Sequence, residues 1–378
     1  MPLGAYIHIP FCAYKCHFCD FVTSTRTGEL QNQYCQVLGQ EIKGRLEELP
    51  SKPTINTIFY GGGTPGILDM GNFIKVHQTL LSSINLSSDN EISLETTPET
   101  VSKEKVKLWH DLGINRLSIG VQSLNDCELI SLGRGHTVAQ TELAIKNAVE
   151  GGFENINCDL MYGLPMQNLP SWRQTLISFI KLAGQYPQIK HLSAYGLELS
   201  PGAPLSRIHP ANSSVYPSEE RFIELFEYLV DTLSTAGFNQ YEISNFAKPG
   251  YYCQHNISCW QQSEYHAFGV SAHRFIKPYR SSNWRSLTQY LNDYLSNETC
   301  EFIDKQTSMK EAIMLGLRMT EGIDLNRFKQ TFDFDFEQIY ARQIDNLITL
   351  NLLIYENSKL KLTIQGQPVA NSVITEFL

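Results

Sequence analysis

Up to about residue 240, short apolar runs rich in β-branched residues alternate with longer stretches whose apolar positions recur every three to four residues. The first pattern suits a strand buried among neighbours, the second an amphipathic helix. Strands are predicted at 5–9, 57–60, 91–95, 116–120, 155–160, 191–196 and 240–243, and helices over 32–49, 102–112, 138–150 and 171–182. The helix at 102–112 begins at Ser102, whose hydroxyl can accept from the free N–H groups of a first turn, and stops at Gly113. The clearest stripe lies in 218–236, where Phe222, Leu225, Phe226, Leu229 and Leu233 share one face and Gly237 ends the run.

Alternation of this kind with short connections implies parallel strands joined by crossover helices, an α/β architecture. A dinucleotide-binding sheet and a full or partial (β/α) barrel both fit. The barrel is favoured because the polar and glycine-rich signals follow the strands: Gly61-Gly62-Gly63-Thr64-Pro65 after the second, Glu95 at the end of the third, Gln122 after the fourth, Asp159 in the fifth. Barrel sites gather at the C-terminal ends of strands, and no G-x-G-x-x-G follows the first strand. The texture changes near Cys300. Helices at 310–319 and 336–350, strands at 352–355 and 360–363 around an Asn-Ser-Lys turn, and a last helix from about 367 to 378 suggest a small winged-helix-like α+β unit. The expected division is a barrel over 1–240, a connecting segment over 241–300 and the small domain over 301–378. Neither an internal repeat nor a low-complexity linker is apparent.

Composition narrows the function. A net charge of −9 argues against a general nucleic-acid surface. The winged-helix-like unit carries Asp333, Asp335, Glu337, Glu356 and Glu376, which repel phosphates. No apolar run approaches the roughly 20 residues that span a bilayer, and the N-terminus lacks the basic start and apolar core of an export signal, so a cytoplasmic protein is expected. The nine cysteines are odd in number and only three crowd together, which does not suggest a disulfide framework. Cys35, Cys127, Cys158 and Cys300 stand in ordinary apolar or surface contexts.

The crowded three are Cys12, Cys16 and Cys19, in a C-x₃-C-x₂-C loop after the first strand. A cubane iron–sulfur cluster wants four ligands. Three thiolates leave one iron open to a small molecule's amine and carboxylate, which a methionine moiety supplies. Zinc is the competing reading, with His17 or His8 completing a set of four, but paired C-x₂-C knuckles are the usual zinc layout and one such pair is present.

From here a resemblance carries further. YIHIPFCAYKCHFCDF at 6–21, YGGGTPGIL at 60–68, ETTPE at 95–99, RLSIGVQS at 116–123, LGRGHT at 132–137, NCDLMYGLP at 157–165, YEISNFAKPGYYCQHN at 241–256 and EAIMLGLRM at 311–319 span nearly the whole chain. In these the chain resembles radical S-adenosylmethionine (SAM) proteins, specifically the oxygen-independent coproporphyrinogen III oxidases and the related HemW-type heme chaperones. The resemblance implies a partial TIM-like barrel of radical SAM type, a [4Fe-4S] cluster on the three cysteines, SAM on its open iron, and an electron donor for the cluster. It implies that Tyr6 and Phe18 flank the cluster and SAM, that Gly62, Gly63 and Thr64 meet the methionine end, and that Glu95 bonds ribose hydroxyls or the amino group. Gln122, Arg134 and Asp159 complete that pocket by the same likeness, with Arg134 balancing the carboxylate and Gly196 a further member.

Two outcomes then compete: oxidative decarboxylation of coproporphyrinogen III, or binding of heme and its delivery to an acceptor protein that the sequence does not name. The oxidases carry a fourth cysteine where this chain has Phe21, and an extension of several dozen residues where this chain begins just before its first strand. Both differences favour the chaperone. HemW-like proteins also carry an H-N-x-x-Y-W stretch linked to heme. Here it is His255-Asn256-Ile257-Ser258-Cys259-Trp260, with Cys259 in the tyrosine's place. His255 is the expected heme ligand, and a Cys thiolate is the other option.

Overall fold

The structure is a computed structural model that describes residues 3–26 and 28–378. Six strands follow one another in parallel: β1 (Gly4–Ile9), β2 (Thr54–Gly62), β3 (Asn85–Thr96), β4 (Arg116–Gln122), β5 (Ile156–Tyr162) and β6 (Ile189–Gly196). Helices return the chain between them, among them Glu29–Glu47, Met70–Ser83, Lys103–Asp111, Val138–Glu150 and Leu169–Gln185. This is the expected partial barrel: β1 pairs onward with β9 (Tyr265–Phe268), and β6 with β8 (Asn245–Ala247), so β1 and β6 do not close on each other. The sheet continues outward through β7 (Asn239–Glu242) at one end and β10 (His273–Ile276), β11 (Tyr279–Ser282) and β12 (Thr299–Phe302) at the other, twelve strands in all among the described residues.

Local chemistry fixes the helix starts. Ser102 accepts from the Lys105 N–H, Ser218 from the Arg221 N–H, and Thr137 exchanges bonds with Gln140 in a capping box. Side-chain alternation along the strands then divides the molecule. Outward positions such as Ile7, Ile58, Leu94, Leu117 and Leu192 are buried against the helices in the main core. The alternate positions turn inward and are polar: Glu91, Ser93 and Glu95 on β3, Arg116 and Ser118 on β4, Asn157 and Asp159 on β5. Strands sealed on both faces usually read as continuous apolar runs, so a polar inner face marks a working interior.

The small domain has its own core, including Ile313, Leu317, Phe328, Phe336, Leu360 and Phe377. Its helices, led by Lys305–Arg318, precede a hairpin of β14 (Leu353–Glu356) and β15 (Lys359–Leu362), with β13 (Ile323–Asp324) on the other side of β15. Asn357 and Ser358 both take positive φ in the hairpin turn, as a two-residue turn of matching twist requires.

Boundaries differ where tertiary pairing extends a weak signal. The strand expected at 91–95 runs Asn85–Thr96, and the helix expected over 336–350 breaks at Tyr340 into Phe336–Ile339 and Ala341–Thr349. Only a 3₁₀ turn and the short helix Ala370–Thr375 stand in the stretch from 367. The strands β9–β12 and the helix Met70–Ser83 have no counterpart in the sequence reading. Four-residue strands such as Tyr-Arg-Ser-Ser carry too little apolar alternation to stand out.

Candidate cofactor site and the adjoining cavity

The three-cysteine loop leaves β1 and is pinned along its length. Cys12 N–H donates to the Ser24 carbonyl at 3.0 Å, His17 N–H to Leu132 at 2.9 Å, and Leu205 N–H to the His17 carbonyl at 2.7 Å. All three thiols are free and half-buried. Two sulfurs receive donors: Thr64 Oγ1 to Cys12 Sγ at 3.7 Å, and Arg134 Nη1 to Cys16 Sγ at 3.2 Å. Arg134 is itself held by the Gly120 carbonyl at 2.8 Å. Burial pushes the Cys12 thiol up to about 11, against the hydrogen bond from Thr64, and also raises Cys19. Metal binding therefore has to displace protons here. Among the described residues no three His, Cys, Asp or Glu gather as for a single metal ion. A cubane sets each thiolate on a different iron, so its sulfurs stand further apart than the ligands of one zinc.

The glycines explain themselves by space. A Cβ on Gly63 would stand 2.7 Å from the Phe11 carbonyl oxygen and 2.9 Å from Cys12 Sγ. Gly62 has φ +113° and its N–H donates to Glu95 Oε2 at 3.1 Å. Backbone here runs directly against the cysteine loop, as close approach to a ligand requires. Burial, then the neighbouring Asp159, push Glu95 up to about 8, while the Gly62 N–H and Arg116 work the other way. Asp159 is also raised by burial although Asn157 Nδ2 donates to it at 2.7 Å and Ser118 Oγ at 3.2 Å. Two carboxyls held against ionisation at one end of a barrel suit a cationic ligand. Tyr14, inside the cysteine loop, donates to Glu99 at 2.6 Å. Against the upward push of burial, bonds from His136 and Tyr14 draw Glu99 down to about 2.

The predicted residues thus fall into groups. Gly63, Thr64 and Arg134 meet the cysteines, and Gly62, Glu95 and Asp159 lie together just inside. Gln122, at the end of β4, takes φ +66° with its amide near Gly120. Phe18 packs with Leu132, Met161 and Leu164. Tyr6 stacks on Phe59 and bonds His8 Nδ1 at 3.0 Å. Gly196 lies against Tyr162 and Phe222 and lines a cavity described below. His255 stands apart from the cysteine loop, at the start of the helix Gln254–Trp260. It is 5% exposed, with Nδ1 2.9 Å from Thr57 Oγ1 and its ring stacked on Phe59.

A buried network that sequence reasoning passed over holds that helix. Glu91 accepts from the Gln254 N–H at 3.0 Å, the His255 N–H at 3.1 Å and the Cys253 thiol at 3.5 Å. Arg116, 2% exposed, supplies the opposing charge, and its Nε lacks a partner. Charged residues at alternate positions of a buried strand were the available signal. Beyond the helix lies a cavity of about 670 Å³ between the barrel's open side and the small domain, reached by Tyr195, Gly196, Cys259, Trp260, Met314 and Arg318.

Residues 6–178 match the family model described as the radical SAM superfamily, and residues 303–369 match the HemN C-terminal domain. Fold and cysteine loop together define a radical SAM protein, a class that implies a [4Fe-4S] cluster and SAM. The half-buried thiols and the glycine cradle beside Cys12 fit both groups. The chain is 31% identical over 380 residues to the heme chaperone HemW of Lactococcus lactis, covering 100% of this chain and 97% of that one. It is 32% identical over 381 residues to that of Bacillus subtilis, covering 99% of each, and 32% over 392 to that of Escherichia coli, covering 100% and 98%. The chain belongs to the HemW heme chaperone family. Coproporphyrinogen III oxidase (HemN) from E. coli, a radical SAM enzyme, superposes with a TM-score of 0.85 at 23% identity, over 100% of this chain and 90% of that one. At that identity the likeness concerns the fold. Among the described residues no helix is long and apolar enough to cross a membrane.

Proposed function

We propose that this chain is a heme carrier: it holds a [4Fe-4S] cluster on Cys12, Cys16 and Cys19, SAM beside it, and heme, which it passes to an acceptor protein. The observation that carries the heme reading is the cavity of about 670 Å³, within the range of small-molecule sites and walled by Tyr195, Trp260, Phe275 and Met314 with arginines at hand. Full-length likeness to three heme chaperones supports it.

When bound, cluster and SAM supply one-electron chemistry at a sulfonium. The chain's part is placement. Thr64 and Arg134 donate to the sulfurs of Cys12 and Cys16, and Gly62 and Gly63 let backbone approach the methionine end. Glu95, Asp159 and Gln122 offer polar groups inside, with Tyr6 and Phe18 as flanking rings and Gly196 as a further member of the pocket. An electron donor has to reach the cluster loop. Nine free cysteines suit a reducing compartment, the cytoplasm.

The test separates carrier from oxidase. Anaerobically reconstituted protein receives reductant, SAM and coproporphyrinogen III, and the porphyrinogens are assayed. No protoporphyrinogen is expected, in line with Phe21, 66% exposed, where the oxidases have a fourth cysteine. Catalytic turnover would overturn the carrier reading.

A further inference from the structure

We infer that Glu99, acting through Tyr14 and Arg134, is a positioning residue for the cluster: it fastens the middle of the cysteine loop and sets the charge felt at Cys16. The inference rests on the cluster part of the carrier reading and extends it to two residues, Tyr14 and Glu99, that the family likeness leaves without a role.

The cysteine loop and the turn 133–135 interlock. Tyr14 and His17 stand on either side of Cys16 in the chain, and Gly133 and Gly135 on either side of Arg134. A Cβ on Gly135 would fall 2.4 Å from the Tyr14 ring, and one on Gly133 would fall 2.7 Å from the His17 ring. Each ring therefore rests on bare backbone, at an approach that glycine alone allows. Between the two glycines Arg134 reaches the Cys16 sulfur, and its Cζ lies 5.9 Å from the centroid of the Tyr14 ring. Backbone bonds fasten the loop at Cys12 and His17. At its middle a side chain does so, the Tyr14 hydroxyl donating to Glu99 Oε1 at 2.6 Å.

Glu99 is fixed from behind. It belongs to the 3₁₀ turn Pro98–Thr100 that follows β3, and its Oε2 lies 3.5 Å from His136 Nδ1. His136 Nε2 faces the Val121 carbonyl at 3.1 Å and so carries a hydrogen there. Against the upward push of burial, the bonds from His136 and Tyr14 keep the carboxylate ionised, and Arg134 adds to this from nearby. Nearby charge and hydrogen bonds to the sulfurs are among the levers that set a cluster's potential. The carboxylate opposes the arrival of an electron, and the guanidinium on Cys16 favours it. The step affected is the gain of one electron by the oxidised cluster from an external one-electron donor, with no bond made or broken.

The experiment uses the full chain, anaerobically reconstituted without SAM, whose carboxylate would compete for Arg134. Midpoint potentials come from dithionite titration followed by electron paramagnetic resonance. Cluster retention comes from the rate of iron loss to a chelator, and far-UV circular dichroism checks the fold of each variant. Glu99→Gln keeps an acceptor for Tyr14 and removes the charge. It is expected to lose iron at the wild-type rate and to make reduction about tenfold more favourable, an upward shift of roughly 59 mV. Tyr14→Phe keeps the ring on Gly135 and removes the anchor, and it is expected to lose iron about tenfold faster. Gly135→Ala, which drives a methyl into the Tyr14 ring, should lose iron faster as well. An unmoved potential in Glu99→Gln would overturn the tuning of charge at Cys16. Wild-type iron loss in both Tyr14→Phe and Gly135→Ala would overturn the anchor. A wild type that takes up no iron would overturn the cluster reading and this inference with it.

Discussion

The cysteine loop and the cavity are two sites built on opposite principles. The loop is local: three ligands within eight residues, tied at both ends by backbone hydrogen bonds and faced by a glycine turn from the neighbouring strand. The cavity is assembled from β6, the helix Gln254–Trp260, the edge strands and the small domain, segments far apart in the chain. A site made of one segment keeps its geometry if distant packing loosens. A site made of four depends on every contact that brings them together, and the Glu91–Arg116 network is the one that fixes its helix. Chemistry that demands a fixed cluster suits the first construction. Loading and release of a cargo suit the second.

The sharpest way to break the comparison is to empty the loop. Replacing Cys12, Cys16 and Cys19 together by Ala should reduce iron after anaerobic reconstitution from about four per chain to near none, by iron and sulfide analysis. A full cluster in that variant would remove the assignment. Next in size is Glu91→Ala, which leaves two helix N–H groups without their acceptor and the buried Arg116 without an opposing charge. It should cost about 3–5 kcal/mol in denaturant unfolding, and lower heme affinity while cluster iron stays. Loss below 1 kcal/mol would show that the helix is held elsewhere.

Gly63→Ala places a methyl against the Phe11 carbonyl and Cys12. It should weaken SAM binding by about tenfold or more in equilibrium dialysis and leave heme titration unmoved. The smallest expected effect is a pH dependence. Because burial raises Glu95 to about 8, the cofactor-free protein holds it protonated. Its contribution to stability is then fully present below the ordinary glutamate range and is lost as pH rises through about 8. A cationic ligand prefers the ionised form, so SAM affinity should rise over the same interval. Glu95→Gln should flatten both profiles, and profiles that keep their slope would assign the dependence to another group.

Legibility in the sequence follows the same divide. Cys12, Cys16 and Cys19 stand out because metal ligation imposes spacing on a single loop, and Gly62–Gly63 because close backbone approach imposes glycine. The parallel strands β1–β6 were legible from apolar runs, and the helix between β3 and β4 from its cap Ser102. The strands β9–β12 were not, being short and held by pairing with neighbours distant in the chain. His255 and Cys259 were both visible as heme ligands, but which of them meets the cavity depends on the turn of a seven-residue helix. Arg116 and Glu91 left a faint trace, charged residues within buried strands, whose meaning appears once the inner face of the barrel is known.

The most direct measurement of the account is a heme titration of the wild type and of the triple cysteine variant side by side, followed by absorbance. Two independent sites predict one heme per chain in both proteins, with affinities within about threefold. Heme binding that vanishes together with the cluster, or that is absent from the wild type, would contradict it.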